Sequence, residues 1–139
     1  MARTSSHIES ESVTLSYDQV RMKIEQMADA MMRQDNEAVI SHFADDAVMI
    51  APAGRFVGKQ SIYDAGAAFN ANYTNIRIVV KRVILDCDGR IGALEWSFAE
   101  TRKSDGYTHV MEDAIVFELR GDKVVYWREY FDPLQEREL

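Results

Sequence analysis

The sequence contains few of the residues that build disulfides, metal sites or membrane spans. Its one cysteine, Cys87, cannot form a disulfide within the chain, and its three histidines, His7, His42 and His109, lack metal-ligand spacing. No apolar run approaches the roughly 18 residues of a membrane-spanning helix. Residues 1–16 are polar and contain no apolar signal core. We therefore predict a cytoplasmic protein without a metal or other cofactor, and a flexible segment at 1–16.

An excess of positive charge is also missing. The chain carries 16 Lys and Arg against 23 Asp and Glu, which gives a net charge of −7. Non-specific binding to nucleic acid or to an anionic membrane depends on clustered Lys and Arg. We therefore expect neither partner. The 139 residues, 47% of them hydrophobic, fit one globular domain, which we place at residues 17–139.

The first half of the chain has the periodicity of helices. Ser16 followed by Gln19 is a capping box, and apolar residues then recur at helical spacing at Val20, Ile24, Met27 and Met31. A short second helix is expected through Val39 and Phe43, and a short strand at 47–51. A third helix is predicted at about 59–72, with Ile62, Ala65 and Phe69 on its inner side.

The second half has the alternation of strands, at about 76–86, 90–102, 107–119 and 123–132. Helices followed by a run of strands predict an α+β fold with helices on one face of an antiparallel sheet. Gly92 offers a place to bend. A curved sheet closed by the N-terminal helices forms a cone with an interior pocket. The outer face of the sheet, a predicted homodimer surface, carries Glu95, Ser97, Val110, Glu112, Ala114 and Val116.

The first hairpin places an acid in an apolar face. A turn centred on residues 104–106 pairs Trp96 with Asp113 and Glu100 with His109. Opposed residues share one face of a sheet. The face that contains Asp113 therefore also contains Leu94, Trp96, Phe98, Met111, Ile115 and Phe117.

The second turn, at residues 120–122, decides whether Asp113 has an acidic neighbour. A three-residue loop would set Asp113 opposite Glu129 and Ile115 opposite Trp127, so that Trp127, Glu129 and Phe131 join the apolar face. A two-residue loop would shift the register by one residue and turn Glu129 to the other face. The turn residues alone leave both registers open.

Two stretches carry a resemblance to a known superfamily. His-Phe-Ala-Asp-Asp-Ala-Val at 42–48 is followed by Pro52, Gly54 and Gly58-Lys59, and Val-Tyr-Trp-Arg-Glu-Tyr-Phe-Asp stands at 125–132. These segments resemble the nuclear-transport-factor-2-like superfamily, with its SnoaL-like and ketosteroid-isomerase-like proteins, over about residues 17–133. The resemblance implies the cone-shaped ketosteroid-isomerase-like roll. It does not imply one activity, because this fold hosts different chemistries.

Most of the superfamily's catalytic residues are missing. Where a ketosteroid isomerase has its general base and two oxyanion donors, the resemblance places Ala51, Met27 and Ile115, so that mechanism is excluded. Limonene epoxide hydrolase ends similarly, and its final catalytic acid matches Glu129. Its water-holding Tyr and Asn match Val48 and Ile50, and its strand Arg and Asp fall on apolar positions within 94–98. The comparison places Trp127 and Glu129 toward the cavity, and therefore favours the three-residue turn.

The predicted site is a pair of interior carboxylates, Asp113 and Glu129, that act on a small apolar molecule. Two close carboxylates in apolar surroundings cannot both ionise cheaply, so a raised-pKa acid would lie beside an ionised base. Such a pair suits a cofactor-free isomerase, lyase, cyclase or epoxide hydrolase. His109 is a possible accessory residue at the mouth of the interior pocket. The residues expected to line the pocket are Trp96, Phe98, Leu94, Met111, Ile115, Trp127, Phe131, Met27, Met31, Ala51 and Phe69.

Two simpler interpretations compete with this one. Lys81 or Arg82, on the neighbouring strand, would neutralise a buried Asp113 in a structural ion pair. Alternatively, the cone is a ligand-binding or structural dimeric module without turnover. His42 is expected to be only a helix cap or a surface group.

Overall fold

The structure is a computed structural model that describes residues 14–134. Three helices and six strands follow one another along the chain, with one helix between the second and third strands. They are α1 (Tyr17–Met32), α2 (Asn36–Ile40), β1 (Phe43–Ala51), β2 (Gly54–Val57), α3 (Lys59–Asn72), β3 (Tyr73–Leu85), β4 (Ile91–Arg102), β5 (Thr108–Arg120) and β6 (Lys123–Tyr130). The predicted α+β class is confirmed. The prediction of a flexible segment at 1–16 lies mostly outside the described residues.

Helix α1 begins at the predicted capping box. The Ser16 hydroxyl accepts a hydrogen bond from the Gln19 backbone N–H (3.2 Å), and the Gln19 side chain accepts one from the Ser16 backbone N–H (2.8 Å). These two bonds satisfy donors that a helix start otherwise leaves unpaired. Its buried stripe faces the sheet and consists of Val20, Lys23, Ile24, Met27, Ala28 and Ala30.

The six strands form one curved, open sheet in the order β2-β1-β6-β5-β4-β3. All neighbours are antiparallel except β1 and β6, which run parallel. Strands β1 and β3 to β6 were predicted within a few residues, whereas β2 was expected only as a turn at Gly54. The curvature is accompanied by register shifts in β3, between Thr74 and Arg77 and between Val80 and Arg82. Such bulges bend a strand.

The β4–β5 hairpin has the predicted register. Trp96 lies opposite Asp113, and Glu100 lies opposite His109. The turn is closed by hydrogen bonds from the Arg102 N–H to the Tyr107 carbonyl and from the Gly106 N–H to the Arg102 carbonyl, both 2.8 Å. Asp113 therefore belongs to the inner, apolar face of the sheet, as expected.

The β5–β6 hairpin places Trp127 and Glu129 on the predicted face, but its turn differs from the predicted one. Arg120 pairs with Lys123, so the loop is the two-residue one, and the three-residue loop is wrong. Between the Leu119–Val124 and Glu118–Tyr126 pairs, however, β6 contains one extra residue, Val125.

This bulge at Val125 moves the following residues of β6 to the opposite face. Trp127 and Glu129 therefore point inward after all. Their partners differ from the predicted ones by two positions: Trp127 lies opposite Phe117, and Glu129 lies opposite Ile115 rather than Asp113.

The core lies between the inner face of the sheet and helices α1 and α3. Its largest fully buried side chains are Trp96, Trp127, Phe43 and Phe117. Gly92, which was expected to mark a bend, instead allows close packing. A Cβ atom there would lie 2.5 Å from Phe117 Cζ and 2.6 Å from the Ile84 carbonyl oxygen. Within residues 14–134, no helix has the length and apolar character needed to cross a membrane.

Candidate active site

Asp113 is a buried carboxylate held by an indole. Only 4% of the residue is exposed, and its Oδ2 accepts a hydrogen bond from Nε1 of Trp96 at 3.1 Å. The two residues are direct cross-strand partners, so the hairpin register itself sets this contact. The backbone N–H of Tyr130, on β6, also favours the ionised form of Asp113. These donors stabilise a negative charge at a position where water is nearly excluded.

Glu129 lies diagonally across the ladder from Asp113, because its direct partner is Ile115. Diagonal neighbours on one face are within reach of long side chains. The Glu129 carboxyl is close enough to Asp113 and to the Trp127 indole for both to change its pKa. The indoles of Trp96 and Trp127 pack around this acid pair, with ring centroids 5.9 Å apart.

Two buried polar atoms beside the acid pair have no hydrogen-bond partner among the described residues other than the Glu129 carboxyl. They are Oδ1 of Asp113, an acceptor, and Nε1 of Trp127, a donor. Buried polar atoms are nearly always paired in native proteins, because an unpaired one costs about 1–3 kcal/mol. The Glu129 carboxyl therefore pairs with these atoms in the free protein, and a polar group of a ligand would compete with it.

Burial raises the pKa of both carboxyl groups, and their neighbours change each pKa in a different direction. It raises the pKa of Glu129 well above its usual range, and the adjacent Asp113 carboxylate raises it further. Burial also raises the pKa of Asp113, but the interactions with Glu129, Trp96 and the Tyr130 N–H oppose that rise. The two acids therefore titrate as a pair that shares one proton, and these contacts favour Glu129 as the group that holds it.

No lysine or arginine from β3 neutralises the pair. Lys81 binds Glu112 at 2.8 Å and Arg82 binds Glu95 at 3.4 Å, and all four side chains are exposed on the outer face of the sheet. The structural ion pair between Asp113 and Lys81 or Arg82, considered from sequence, is wrong. The outer face also exposes Val116, but the homodimer through this face stays a prediction.

A third acid, Glu100, connects the pair to the protein surface. It lies on the same face of β4 as Trp96, is only 8% exposed, and raises the pKa of Glu129 through its charge. Burial raises the pKa of Glu100 itself, while His109 and Arg102 lower it. We did not predict Glu100 as a site residue, although the hairpin register already places it on the inner face.

Glu100 lines a cavity of about 150 Å³ at the turn end of the β4–β5 hairpin. The other lining residues are Tyr73, Arg102, Tyr107, His109, Met111, Phe131 and Pro133. His109 therefore lies at this mouth, as predicted. Asp113 and Glu129 do not line the cavity. They lie deeper, and Met111 precedes Asp113 by two residues on the same strand face.

The residues expected to line the pocket divide into two groups. Met111 and Phe131 line the mouth cavity. The others belong to the packed interior: Leu94, Trp96, Ile115, Trp127 and Met27 are buried, whereas Phe98, Phe69, Met31 and Ala51 are partly buried. The interior pocket is thus largely filled by these side chains.

The chemistry available here is that of carboxyl groups and aromatic walls. Among residues 14–134, no group of three or more His, Cys, Asp and Glu is arranged to hold a metal ion. An ionised Asp113 beside a protonated Glu129 can remove a proton and return one. The aromatic rings can hold a flat apolar molecule.

A comparison with known families tests the resemblance suggested by the sequence. The family model for the SnoaL-like domain matches residues 24–127, from α1 to the β6 tryptophan. The chain belongs to the SnoaL-like family. The match covers every element that positions the acid pair except the last residues of β6. None of the curated proteins matches this SnoaL-like chain.

Solved structures share the fold of this SnoaL-like protein. A Catenulispora acidiphila protein with a ketosteroid isomerase-like fold, in complex with trimethylamine, has a TM-score of 0.73 and 17% identity, covering 80% of this chain and 85% of its own. A candidate polyketide cyclase of Pseudomonas putida has a TM-score of 0.73 and 19% identity, covering 80% and 90%. An LEH-like epoxide hydrolase of M. tuberculosis has a TM-score of 0.69 and 20% identity, covering 80% and 76%. At these identities the likeness concerns the fold.

Proposed function

We propose that this SnoaL-like protein is a cofactor-independent proton-transfer enzyme, an isomerase, lyase or cyclase, that acts on a small apolar molecule. The observation that carries the proposal is the coupled Asp113–Glu129 pair on the inner face of the sheet, beside the buried indole Nε1 of Trp127. Structural neighbours include a candidate polyketide cyclase and an epoxide hydrolase, which supports a pocket enzyme without identifying the reaction.

In this mechanism the two acids have different tasks. Asp113, ionised and held by the Trp96 indole, removes a proton from a carbon next to an electron-withdrawing group of the substrate. Glu129 donates its proton to the oxygen on which negative charge develops, and Trp127 Nε1–H donates a hydrogen bond to the same oxygen. Proton return in the reverse sense completes an isomerisation, and loss of a leaving group completes an elimination.

Substrate enters from the mouth cavity. Its floor is formed partly by Met111, whose flexible thioether side chain can change rotamer to admit a ligand toward Asp113. Glu100 stands between the surface and the acid pair, where it can exchange protons between Glu129 and solvent. The cavity of about 150 Å³ suits only a small ligand group before such a rearrangement.

A carbon-13 NMR titration of the side-chain carboxyls tests the acid pair directly. We expect Glu129 to titrate well above 4.5, the ordinary pKa of a glutamate, because burial and Asp113 both oppose its ionisation. Asp113→Asn should lower the pKa of Glu129, since it removes the adjacent negative charge. Glu118→Gln, on the exposed outer face of β5, should leave that titration unchanged. Normal and independent titration of the two acids would remove the basis for the mechanism.

A second candidate function is the binding of a small alkylammonium ion without turnover. The rings of Tyr73, Tyr107 and Phe131 surround the mouth cavity together with the buried carboxyl of Glu100. Aromatic faces and a carboxylate form the usual environment of such cations. Arg102 also lines the cavity, but Asp105 compensates its charge through contacts of 2.7 and 3.0 Å. The neighbour from Catenulispora acidiphila was solved with trimethylamine, which agrees with this candidate.

Calorimetry with tetramethylammonium, compared with neutral tert-butanol, tests this candidate. We expect the cation to bind at least about tenfold more tightly, and Glu100→Gln to remove about 1 kcal/mol or more of its binding free energy. Glu112→Gln, on the outer face of β5, is the matched control and should bind normally. Equal affinity for the cation and the alcohol would exclude an ammonium site.

A further inference from the structure

A lysine interrupts the apolar stripe of α1, at the end of the protein away from the acid pair. Lys23 lies between Val20 and Met27 on the buried side of the helix and is only 9% exposed. Lysine is rarely buried without an ion-pair partner. None of the ion pairs found within residues 14–134 involves Lys23.

The partner of this lysine is a histidine. Lys23 Nζ lies 2.9 Å from Nδ1 of His42, in the connection between α2 and β1. The backbone fixes the position of His42, because its carbonyl accepts a hydrogen bond from the Val124 N–H at 2.9 Å. The expectation that His42 is only a cap or surface group is therefore wrong: it is half-buried and orients the lysine amine.

Lys23 and His42 lie on the wall of a cleft of about 340 Å³. The cleft combines polar side chains with the apolar Leu15 and Met22, so it can hold a small ligand that has both polar and apolar parts. The other lining residues are Leu15, Gln19, Met22, Gln26, Ser41, Asp122 and Lys123. The cleft is large enough for a small metabolite to approach the amine.

Burial of the amine favours its uncharged form. Burial, opposed by Asp122 and assisted by Lys123, lowers the pKa of Lys23 to about 8. Burial, Lys23 and Lys123 together lower the pKa of His42 to about 4. Near neutral pH, His42 is thus a neutral hydrogen-bond acceptor for Lys23. Desolvation beside another cation is an established way to activate a lysine nucleophile.

We propose that Lys23, oriented by His42 in this cleft, is a covalent capture site that forms an imine with a small polar aldehyde or ketone. The site is separate from the acid pair and does not depend on its function. A buried amine, an accessible cleft and an aligned base are brought together by three different segments of the chain: α1, the α2–β1 connection and the β5–β6 turn.

The step balances without an oxidant or reductant. The uncharged Lys23 nitrogen attacks the carbonyl carbon, a C–N bond forms, and the carbonyl π electrons move to oxygen. His42 Nδ1 transfers a proton from the new ammonium to that oxygen, which gives a carbinolamine. The hydroxyl group then takes up a proton from solvent and leaves as water, while the nitrogen lone pair forms the C=N bond of an iminium ion. Loss of the N–H proton to solvent leaves the neutral imine, so no proton is consumed overall. The products are one imine and one water.

Reductive trapping on the intact protein tests the site. The full chain is incubated with glyoxylate and cyanoborohydride, and the modified lysines are located by peptide mass spectrometry. We expect Lys23 to be modified about tenfold or more faster than Lys59 and Lys103 near neutral pH, because more of it is uncharged. Its rate should level off above about pH 8, where the amine has lost its proton.

Two variants test whether the fast adduct forms on Lys23 and whether His42 assists its formation. Lys23→Arg keeps the charge but removes the nucleophile, so it should abolish the fast adduct and leave the slow modification of Lys59 unchanged. His42→Gln should slow the reaction of Lys23 by several-fold, since the aligned base is lost. Modification of Lys23 at the same rate as Lys59 or more slowly, in the wild-type protein, would overturn the proposal.

Discussion

Replacing Glu129 by glutamine is expected to reduce turnover by about 100- to 10,000-fold, the usual contribution of a general acid. Glutamine keeps the size and the hydrogen-bonding capacity of the side chain, but it cannot deliver a proton. Substrate binding should change little. The assay follows deuterium incorporation from D2O into small apolar ketones, together with the ring opening of apolar epoxides. Turnover that survives both Glu129→Gln and Asp113→Asn would show that these acids are not the catalytic groups.

The same substitution is expected to stabilise the fold at alkaline pH. Because burial raises the pKa of Glu129 above its unfolded value, the folded state holds a proton that the unfolded state has lost. Wild-type stability therefore falls as pH rises above 4.5, the ordinary pKa of a glutamate, and continues to fall until Glu129 ionises in the folded state. The glutamine variant has no such proton, so this decline should become smaller.

Urea unfolding at about pH 5 and about pH 8 measures this effect. We expect Glu129→Gln to gain about 1–3 kcal/mol relative to wild type at the higher pH, the range for relieving an imperfectly satisfied buried group. Glu118→Gln, on the outer face, is the control and should show the wild-type pH dependence. Loss of activity together with a gain of stability is typical of residues retained for function. Loss of both would indicate a structural acid.

Local patterns in the sequence were sufficient for much of this fold. The capping box at Ser16, the third helix and the register of the first hairpin depend on neighbouring residues, and the structure has them as predicted. The position of Asp113 opposite Trp96 followed from one turn and strict alternation. The pairing of β1 with β6 depends instead on contacts between residues far apart in the chain, so no local sequence pattern predicts it.

The position of Glu129 shows how a correct face can follow from a wrong register. The sequence suggested a three-residue turn, whereas the structure combines a two-residue turn with the bulge at Val125. Both arrangements place Glu129 inside, because each contains one residue more than the simple hairpin. Only the bulge sets Glu129 diagonal to Asp113. Strand β6 contains no glycine, so its sequence gives no signal of this bulge.

The burial of charged side chains was the structural feature hardest to predict from the sequence. Glu100 and Lys23 both occupy positions on apolar faces, by alternation and by helical spacing respectively. Charged residues at such positions are usually placed at an exposed end, where a long side chain reaches water. Here Phe131 lines the same cavity as Glu100, and Asp122 and Lys123 of the β5–β6 turn line the same cleft as Lys23. These segments lie near the end of the sequence. Patterns local to Glu100 and Lys23 could therefore not predict the contacts.

Gly92→Val is expected to be the most destabilising single substitution in the sheet, at about 3 kcal/mol or more. The site of the new Cβ is already occupied: Phe117 Cζ would be 2.5 Å away and the Ile84 carbonyl oxygen 2.6 Å away. Phe117 cannot retreat, because it is fully buried against Trp127, and the Ile84 oxygen belongs to the β3 backbone. The strands must therefore separate, which also displaces the partners of Asp113.

Denaturant unfolding of matched variants checks the cause. Ala93→Val adds bulk at the neighbouring position, on the other face of β4, and should change stability by less than about 1 kcal/mol. Gly92→Ala combined with Phe117→Leu should recover part of the loss of Gly92→Ala alone, since the shorter side chain vacates one of the two contacts. If Gly92→Val unfolds at the wild-type denaturant concentration, Gly92 is not the residue that allows Phe117 to pack against β4. The position of the acid pair would then not depend on this close approach.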